Sequence, residues 1–261
     1  MRSRGGSAGA KNGATKPKNK ASLISRGGFI IALIAGLAAL LSGPCTSHGL
    51  WDYRTGISVL RWAAYGGITA AVLSLIGLIS SLRIVIVRGI LWALMGVVIG
   101  GLVAGLMLYW KQVAESVPRI HDITTDTEDP PRFVAILRLH TGNENSAVYG
   151  GKDVASLQRK AYPDIVPLML PLPPDQVFDR ALAVARQLGW QIIDTDKVAG
   201  RIEAVDTTFW FGFKDDIVIR LSRHTTGSRV DIRSESRVGL GDLGKNAERI
   251  RKFLRKMKKE R

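Results

Sequence analysis

Residues 89–110 read GILWALMGVVIGGLVAGLMLYW, and this stretch of 22 residues without a charged side chain decides how the chain is organised. An α-helix rises about 1.5 Å per residue, so a helix of this length crosses the roughly 30 Å hydrocarbon core of a bilayer. Trp92, Tyr109 and Trp110 lie toward its ends, as aromatic side chains do at membrane interfaces. The stretch therefore predicts a transmembrane helix.

Two further apolar runs come before it. Residues 62–82 are 21 residues without a charge, and residues 27–44 form a shorter run that extends through 45–51. Together the runs predict three transmembrane helices over 27–110. Two alternatives stay open: the runs are buried helices of a large soluble core, or the first run is a signal peptide. No Asp, Glu, Lys or His lies deep within a run, which disfavours a transporter.

The net charge of +15 is concentrated in two tails. Residues 1–26 carry seven basic residues and no acidic one, while residues 245–261 carry nine basic against two acidic. A nucleic-acid-binding domain would show a basic patch on one folded face, so no nucleic-acid partner is predicted. The basic N-terminal tail predicts its own retention in the cytoplasm. Three spans then predict a cytoplasmic tail (1–26), a membrane region (27–110) and, in a bacterial inner membrane, a periplasmic domain (111–261).

The third run contains two patterns of small residues four apart, Gly96–Gly100 and Gly101–Gly105. Such patterns let helix backbones approach closely. They either pack against the other spans of the same chain or join two copies of it, and both interpretations stay open.

Residues 172–261 alternate between helical and strand patterns, in the order helix, four strands, helix. Asp175 is predicted to cap the first helix, which stops at Gly189, and the last helix carries an apolar stripe flanked by Lys and Arg. This order predicts an α+β domain in which an antiparallel four-stranded meander is covered by two helices. Residues 111–170, rich in proline, are predicted to be irregular. The predicted strands are 190–194, 200–205, 216–222 and 228–238, and the stripe is Leu243, Ala247, Ile250, Leu254 and Met257.

The last predicted strand separates polar from apolar residues most cleanly. Val230 and Ile232 face one way, whereas Asp231, Arg233 and Glu235 face the other. We therefore expect one face of the sheet to lie in water. The final helix packs on the apolar face, lies on anionic lipid through its basic residues, or does both at once.

Three segments hold candidate ligand-binding side chains. The turn at 120–126 offers oxygen and imidazole ligands for a hard cation, although a capped turn fits the same pattern. The segment 208–216 places aromatic residues beside two acids, either as an exposed binding patch or as core. The arginines of the last strand form either cross-strand salt bridges or an anion site. The nine candidates are His121, Asp122, Asp126, Trp210, Phe211, Asp215, Asp216, Arg233 and Arg237.

No resident metal or cofactor is predicted. Residues 239–244 match the G-x-G-x-x-G pattern of dinucleotide-binding loops, but only 17 residues follow Gly244. That leaves no room for the second parallel strand or for a ribose-binding acid. Asp242 is instead predicted to cap the final helix. The single Cys45 excludes an intrachain disulfide framework.

Several separate motifs, taken in order, resemble the bacterial domain-of-unknown-function family numbered 1499. The resemblance covers about residues 115–257 and implies an envelope protein, with no established activity, substrate or catalytic residue. The motifs are IHDITTD (120–126), PP (130–131), AYPDI (161–165), WFGFKDD (210–216), RS (233–234), SR (236–237), DLG (242–244), NA (246–247) and RI (249–250).

Three functional hypotheses follow. The first is an inner-membrane protein whose periplasmic domain binds an envelope ligand or partner. The second is an envelope enzyme acting on lipid or cell-wall material, with His121 and either Asp122 or Asp126 as acid and base. The third is a structural membrane anchor. The expected partners are membrane lipid and either an envelope protein or a second copy of the chain.

Overall fold

The structure is a computed structural model that describes residues 17–83 and 87–259. Most of the predicted basic tail, the middle of the short loop between the second and third spans, and residues 260–261 lie outside the described residues. The described chain divides into two compact units. The first comprises 17–42, 53–83 and 87–108, and the second comprises 43–52 and 109–259.

Three long helices open the chain: α1 (Pro17–Ser47), α2 (Tyr53–Arg83) and α3 (Val87–Ser116). Each is long and apolar enough to cross a membrane. Large aliphatic side chains such as Leu40 and Leu102 point away from the protein and remain about two-thirds exposed. So much exposed apolar surface suits lipid and would be unfavourable in water. The prediction of three long apolar helices is confirmed.

Small residues line the contacts within the first unit. A methyl group added at Gly96 would lie 2.1 Å from Ser74 Oγ, and one added at Gly100 would lie 2.6 Å from the Gly67 carbonyl oxygen. The first small-residue pair of α3 therefore serves packing within the chain. Gly101 and Gly105 have no such neighbour among the described residues, so the second pair faces outward.

The second unit contains a six-stranded antiparallel sheet rather than the predicted four-stranded meander. Its spatial order is β1-β6-β5-β4-β3, and β2 also pairs with β6. The meander is present as β3 to β6, and two strands of only three residues each extend it beside β6. The strands are β1 (Asp122–Thr124), β2 (Leu168–Leu170), β3 (Gln191–Asp196), β4 (Arg201–Thr207), β5 (Lys214–His224) and β6 (Gly227–Ser236).

The region 111–170 is more ordered than expected. Besides β1 and β2 it contains a 3₁₀ turn (Ile136–Leu139) and helix α4 (Gly151–Ala161). Gln158 of α4 fixes the start of the sheet, because its side-chain amide accepts a hydrogen bond from the Thr124 N–H and donates one to the Thr124 carbonyl. Two hydrogen bonds between residues 34 apart in the sequence thus join α4 to β1.

Helices α5 (Pro174–Gln187) and α6 (Lys245–Lys259) lie against the apolar face of the sheet. Trp190 and Phe253 stack there with their ring centroids 5.6 Å apart. Burial of such side chains contributes about 1.5–3 kcal/mol each, which makes this layer the main core of the unit. The buried stripe of α6 consists of Ala247, Ile250, Phe253, Leu254 and Met257.

Details of the helix ends differ from the predictions. Asp175 lies inside the first turn of α5, because Pro173 occupies the capping position and the proline ring of Pro174 suits the first helical residue. Leu243 precedes α6 with a φ of 56° and is 40% exposed, so it is not part of the stripe. The Asp242 carboxylate does cap α6, since it accepts hydrogen bonds from the N–H groups of Gly244 and Asn246.

The charged face of the sheet is not in water, contrary to the prediction. Asp231, Arg233, Glu235 and Arg237 are all less than 9% exposed. The chain from 125 to 149 covers them, and Phe133 and Ile136 of that segment form a small second core with Val205 and Val218. We name this layer, residues 125–149, the cover segment.

Candidate functional site

Glu203 attaches the cover segment to the sheet. Its side chain is fully buried on β4, and its carboxylate accepts hydrogen bonds from the N–H groups of Val134, Ala135 and Ile136 at 2.8–3.2 Å. These N–H groups have no helical partner at the start of the 3₁₀ turn, so a carboxylate satisfies them well. Arg201 Nε lies 2.9 Å from the same carboxylate. A buried charge on the sheet therefore holds the cover segment in place.

Arg233 of β6 is the centre of the covered face. Its Nε and Nη2 atoms donate to the two carboxylate oxygens of Asp122 at 2.9 and 2.8 Å, a bidentate pair. Nη2 also donates to Glu235 Oε2 at 3.2 Å, and the guanidinium reaches carbonyl oxygens of the cover segment at Pro131 and Ala147. The guanidinium therefore joins β1, β6 and the cover segment.

A second pair lies beside the first. Arg237 donates two hydrogen bonds to Asp216 Oδ1, at 2.9 and 2.7 Å, and His140 Nε2 of the cover segment lies 2.6 Å from Asp216 Oδ2. Because Asp122 and Asp216 both lie opposite Glu235 in the strand register, three carboxyl groups share one patch of the face.

Glu235 is the carboxyl group of this cluster with one oxygen that lacks a hydrogen-bond partner within the described residues. Its Oε1 atom is buried and has no hydrogen-bond partner within the described chain. Burial, together with the nearby charges of Asp122 and Asp216, raises the pKa of Glu235 to about 9 despite the opposing effect of Arg233. Glu235 therefore keeps its proton at neutral pH. The Tyr149 hydroxyl is also buried and unpartnered in the described part, and burial and Asp122 raise its pKa to about 12.

The acidic turn is organised by hydrogen bonds within the protein. Asp126 Oδ1 accepts from the N–H groups of Glu128 and Asp129, and Oδ2 accepts from Arg220 and Arg229. Burial acts to raise the pKa of Asp126, but these donors lower it overall. Across residues 17–83 and 87–259, no three His, Cys, Asp or Glu side chains are grouped to hold a metal. This geometry is that of a capped turn.

The nine sequence candidates fall into separate places. Asp122, Asp216, Arg233 and Arg237 meet on the covered face, and Asp126 lies farther along that face with Arg220 and Arg229. Asp215 points to the opposite face, because neighbouring strand residues alternate, and pairs there with Arg249 of α6. The aromatic candidates Trp210 and Phe211 lie in the turn between β4 and β5, half-buried.

His121 contributes to a cavity of about 480 Å³ beside β1. Arg119 and His121 lie on its polar side together with Asp122, while Val148 and Leu240 flank it and are 79% and 81% exposed. A larger depression of about 690 Å³ lies at the turn between β5 and β6, but none of its lining residues is a buried charged side chain. The cavity beside β1 borders the Asp122–Arg233 pair of the covered face through Asp122.

Three important residues were missing from the sequence candidates. Glu235 was visible in the alternation of the last strand, but nothing in that pattern showed that its face would be covered. His140 and Tyr149 lie in the cover segment, whose sequence has no periodicity that indicates burial. Their roles arise from contacts with strands 76 or more residues away, as the His140–Asp216 pair shows.

Comparison with known proteins gives one match. A family model described as Protein of unknown function (DUF1499) matches residues 122–257, just over half of the chain. No curated protein and no solved structure matches the sequence. The match begins at β1 and ends in α6, so it contains the whole sheet and the covered face. The chain therefore belongs to the family described as Protein of unknown function (DUF1499).

Proposed function

We propose that this protein is a membrane-anchored binding protein whose C-terminal unit takes the anionic head group of a lipid into the cavity beside β1. The observation that carries the proposal is the composition of the cavity wall. Arg119 and His121 offer hydrogen-bond donors to an anion, and Val148 and Leu240 offer apolar contact to the adjoining part of an acyl chain. An amphiphile with a negative head group matches both the hydrogen-bond donors and the apolar side chains.

Charge balance in the cavity supports an anionic ligand. Asp122 is the one carboxylate that borders the cavity, and both of its oxygens accept hydrogen bonds from Arg233. Across the described residues, no carboxylate lies within 4.0 Å of the Arg119 side chain. Arg119 is also exposed, so its charge is available to a ligand.

The position of the cavity in the chain supports a lipid as the source of that anion. Arg119 follows Ser116, the last residue of α3, by three residues. Three extended residues span at most about 10 Å, so the polar side of the cavity lies close to the end of the third apolar helix.

We further propose that the N-terminus is cytoplasmic and that residues 109–259 lie on the outer side of a bacterial inner membrane. The basic tail supports this orientation through the positive-inside rule. An odd number of spans places the two ends on opposite sides. Residues 43–52, which connect α1 and α2, belong to the same compact unit as 109–259, as expected if both lie on one side.

The enzyme hypothesis ranks below binding. Its acid–base candidates are His121 with either Asp122 or Asp126, and each of these two carboxylates already accepts hydrogen bonds from arginine or backbone donors. All four oxygens of these two carboxylates already accept hydrogen bonds within the protein, which ranks them low as groups that exchange a proton with a substrate.

Replacing Arg119 with alanine is expected to weaken binding of phosphatidylglycerol at least about tenfold, because one charge-assisted hydrogen bond is worth about 1.5–3 kcal/mol. The measurement is native mass spectrometry of the full chain in a neutral detergent, titrated separately with phosphatidylglycerol and phosphatidylcholine. The matched control is Arg255→Ala, which removes an exposed arginine on α6. Equal occupancy of the two lipids, or unchanged phosphatidylglycerol binding by Arg119→Ala, would contradict the proposal.

A further inference from the structure

The turn between β4 and β5 carries a cluster of aromatic residues with one member fully outside. Phe209 is 99% exposed, whereas Trp210, Phe211 and Phe213 are half-buried. Phe211 stacks on Phe213 with centroids 5.2 Å apart, and Trp210 meets Phe211 edge-on at 5.5 Å. A fully exposed phenylalanine beside packed aromatic side chains is unfavourable in water and is typical of a surface that contacts a membrane or another protein. We name residues 208–213 the aromatic tip.

The backbone of the aromatic tip is fixed. Thr208 and Phe213 are joined by a backbone hydrogen bond of 2.8 Å, and the Thr208 hydroxyl accepts a second hydrogen bond from the Phe213 N–H at 2.9 Å. Gly212 closes the turn with a φ of 68°, a conformation that glycine adopts without strain. The outward position of Phe209 is thus built into the turn before any partner binds.

The aromatic tip packs against residues 43–47, which belong to the same compact unit. A methyl group added at Gly43 would lie 2.3 Å from Trp210 Cδ1, and one added at Gly212 would lie 3.0 Å from Ser47 Cβ. Residues 43–47 are the last turn of α1, at the end of its apolar run. The tip therefore lies where the first apolar helix ends, at the depth of a membrane interface.

From this geometry we propose that the aromatic tip inserts Phe209 into the interface of the outer leaflet and so holds the sheet against the bilayer. The exposed Lys214 follows the tip directly and suits the phosphate groups found at that depth. The occupant of this surface is the lipid bilayer itself, and the proposal does not depend on what the cavity beside β1 binds.

Nitroxide accessibility tests the insertion. The full chain is prepared with Cys45→Ser, which removes its one native cysteine, and a label is attached at Phe209→Cys. The matched control is a label at Val198→Cys in the turn between β3 and β4, at the opposite end of β4, where Val198 is also fully exposed. Both are reconstituted in phosphatidylglycerol–phosphatidylcholine bilayers and measured with oxygen and with a water-soluble nickel chelate. Neither label replaces a buried side chain, so both variants should fold.

The expected result is that the label at 209 collides with oxygen in preference to nickel, while the label at 198 shows the reverse. Equal nickel access at both positions would overturn the proposal. Protection of 209 from both reagents, or dipolar broadening between labels on two copies, would also overturn it, because the occupant would then be protein.

Discussion

Replacing Arg233 with alanine is expected to lower the free energy of unfolding of the C-terminal unit by about 3–5 kcal/mol. Arg233 is 2% exposed, and its guanidinium donates hydrogen bonds to Asp122, Glu235 and two carbonyl groups of the cover segment. Its removal would leave the Asp122 carboxylate buried without a counter-charge, which costs more than the pair itself contributes. Pulse proteolysis of the full chain in nanodiscs, over a series of urea concentrations, measures the change.

The double variant Asp122→Leu with Arg233→Met is the informative comparison. It removes both charges and fills the space with apolar atoms, so we expect it to be more stable than Arg233→Ala by at least about 1 kcal/mol. Arg255→Ala, on the exposed side of α6, should leave the midpoint unchanged. A loss below about 1 kcal/mol for Arg233→Ala would show that the covered face does not depend on this pair.

Replacing Glu235 with glutamine is expected to remove a large pH dependence of stability. The pKa of Glu235 is raised from 4.5 to about 9, so between these values the folded protein holds a proton that the unfolded chain has released. Its stabilising contribution is complete below about pH 4.5 and is lost as the pH rises toward 9, at up to about 1.4 kcal/mol per pH unit. From pH 5 to pH 8 the wild type should lose up to about 4 kcal/mol more than Glu235→Gln.

The same pulse-proteolysis experiment, repeated at pH 5, 6.5 and 8, measures this difference. Other buried carboxyl groups titrate in both proteins, so the comparison isolates residue 235. Glu128→Gln changes an exposed glutamate and should follow the wild type at every pH. Parallel curves for wild type and Glu235→Gln would mean that this carboxyl group is ionised in the folded protein.

The apolar helices and the long strands were predictable because their signals are local. Residues 89–110 show a transmembrane helix without reference to any other part of the chain. Strands β5 and β6 have eleven and ten residues, enough for alternation to identify them. Strands β1 and β2 have three residues each, too few for a period of two to be visible, and they exist because β6 offers them partners.

The sequence identifies several residues of the candidate site, but it does not show that they are buried or that they meet. Asp122 and Arg233 were both identified, but they are 111 residues apart and meet only through the pairing of β1 with β6. The charged face was expected in water because alternation reports which residues share a face, and it does not report what covers that face. The cover segment is held by Glu203, by Arg233, by the His140–Asp216 pair and by a few apolar contacts, which leave no repeating pattern in the sequence.

Protease access to the C-terminal unit shows directly whether three spans place this unit on the outer side of the membrane. The full chain is expressed in bacteria with an epitope after Arg261 and is treated with protease in intact spheroplasts and in inverted inner-membrane vesicles. We expect the epitope to be lost in spheroplasts and protected in inverted vesicles. Protection in spheroplasts together with digestion in inverted vesicles would contradict the outward orientation. Release of the epitope-bearing protein in soluble form, without detergent, would contradict the membrane anchor.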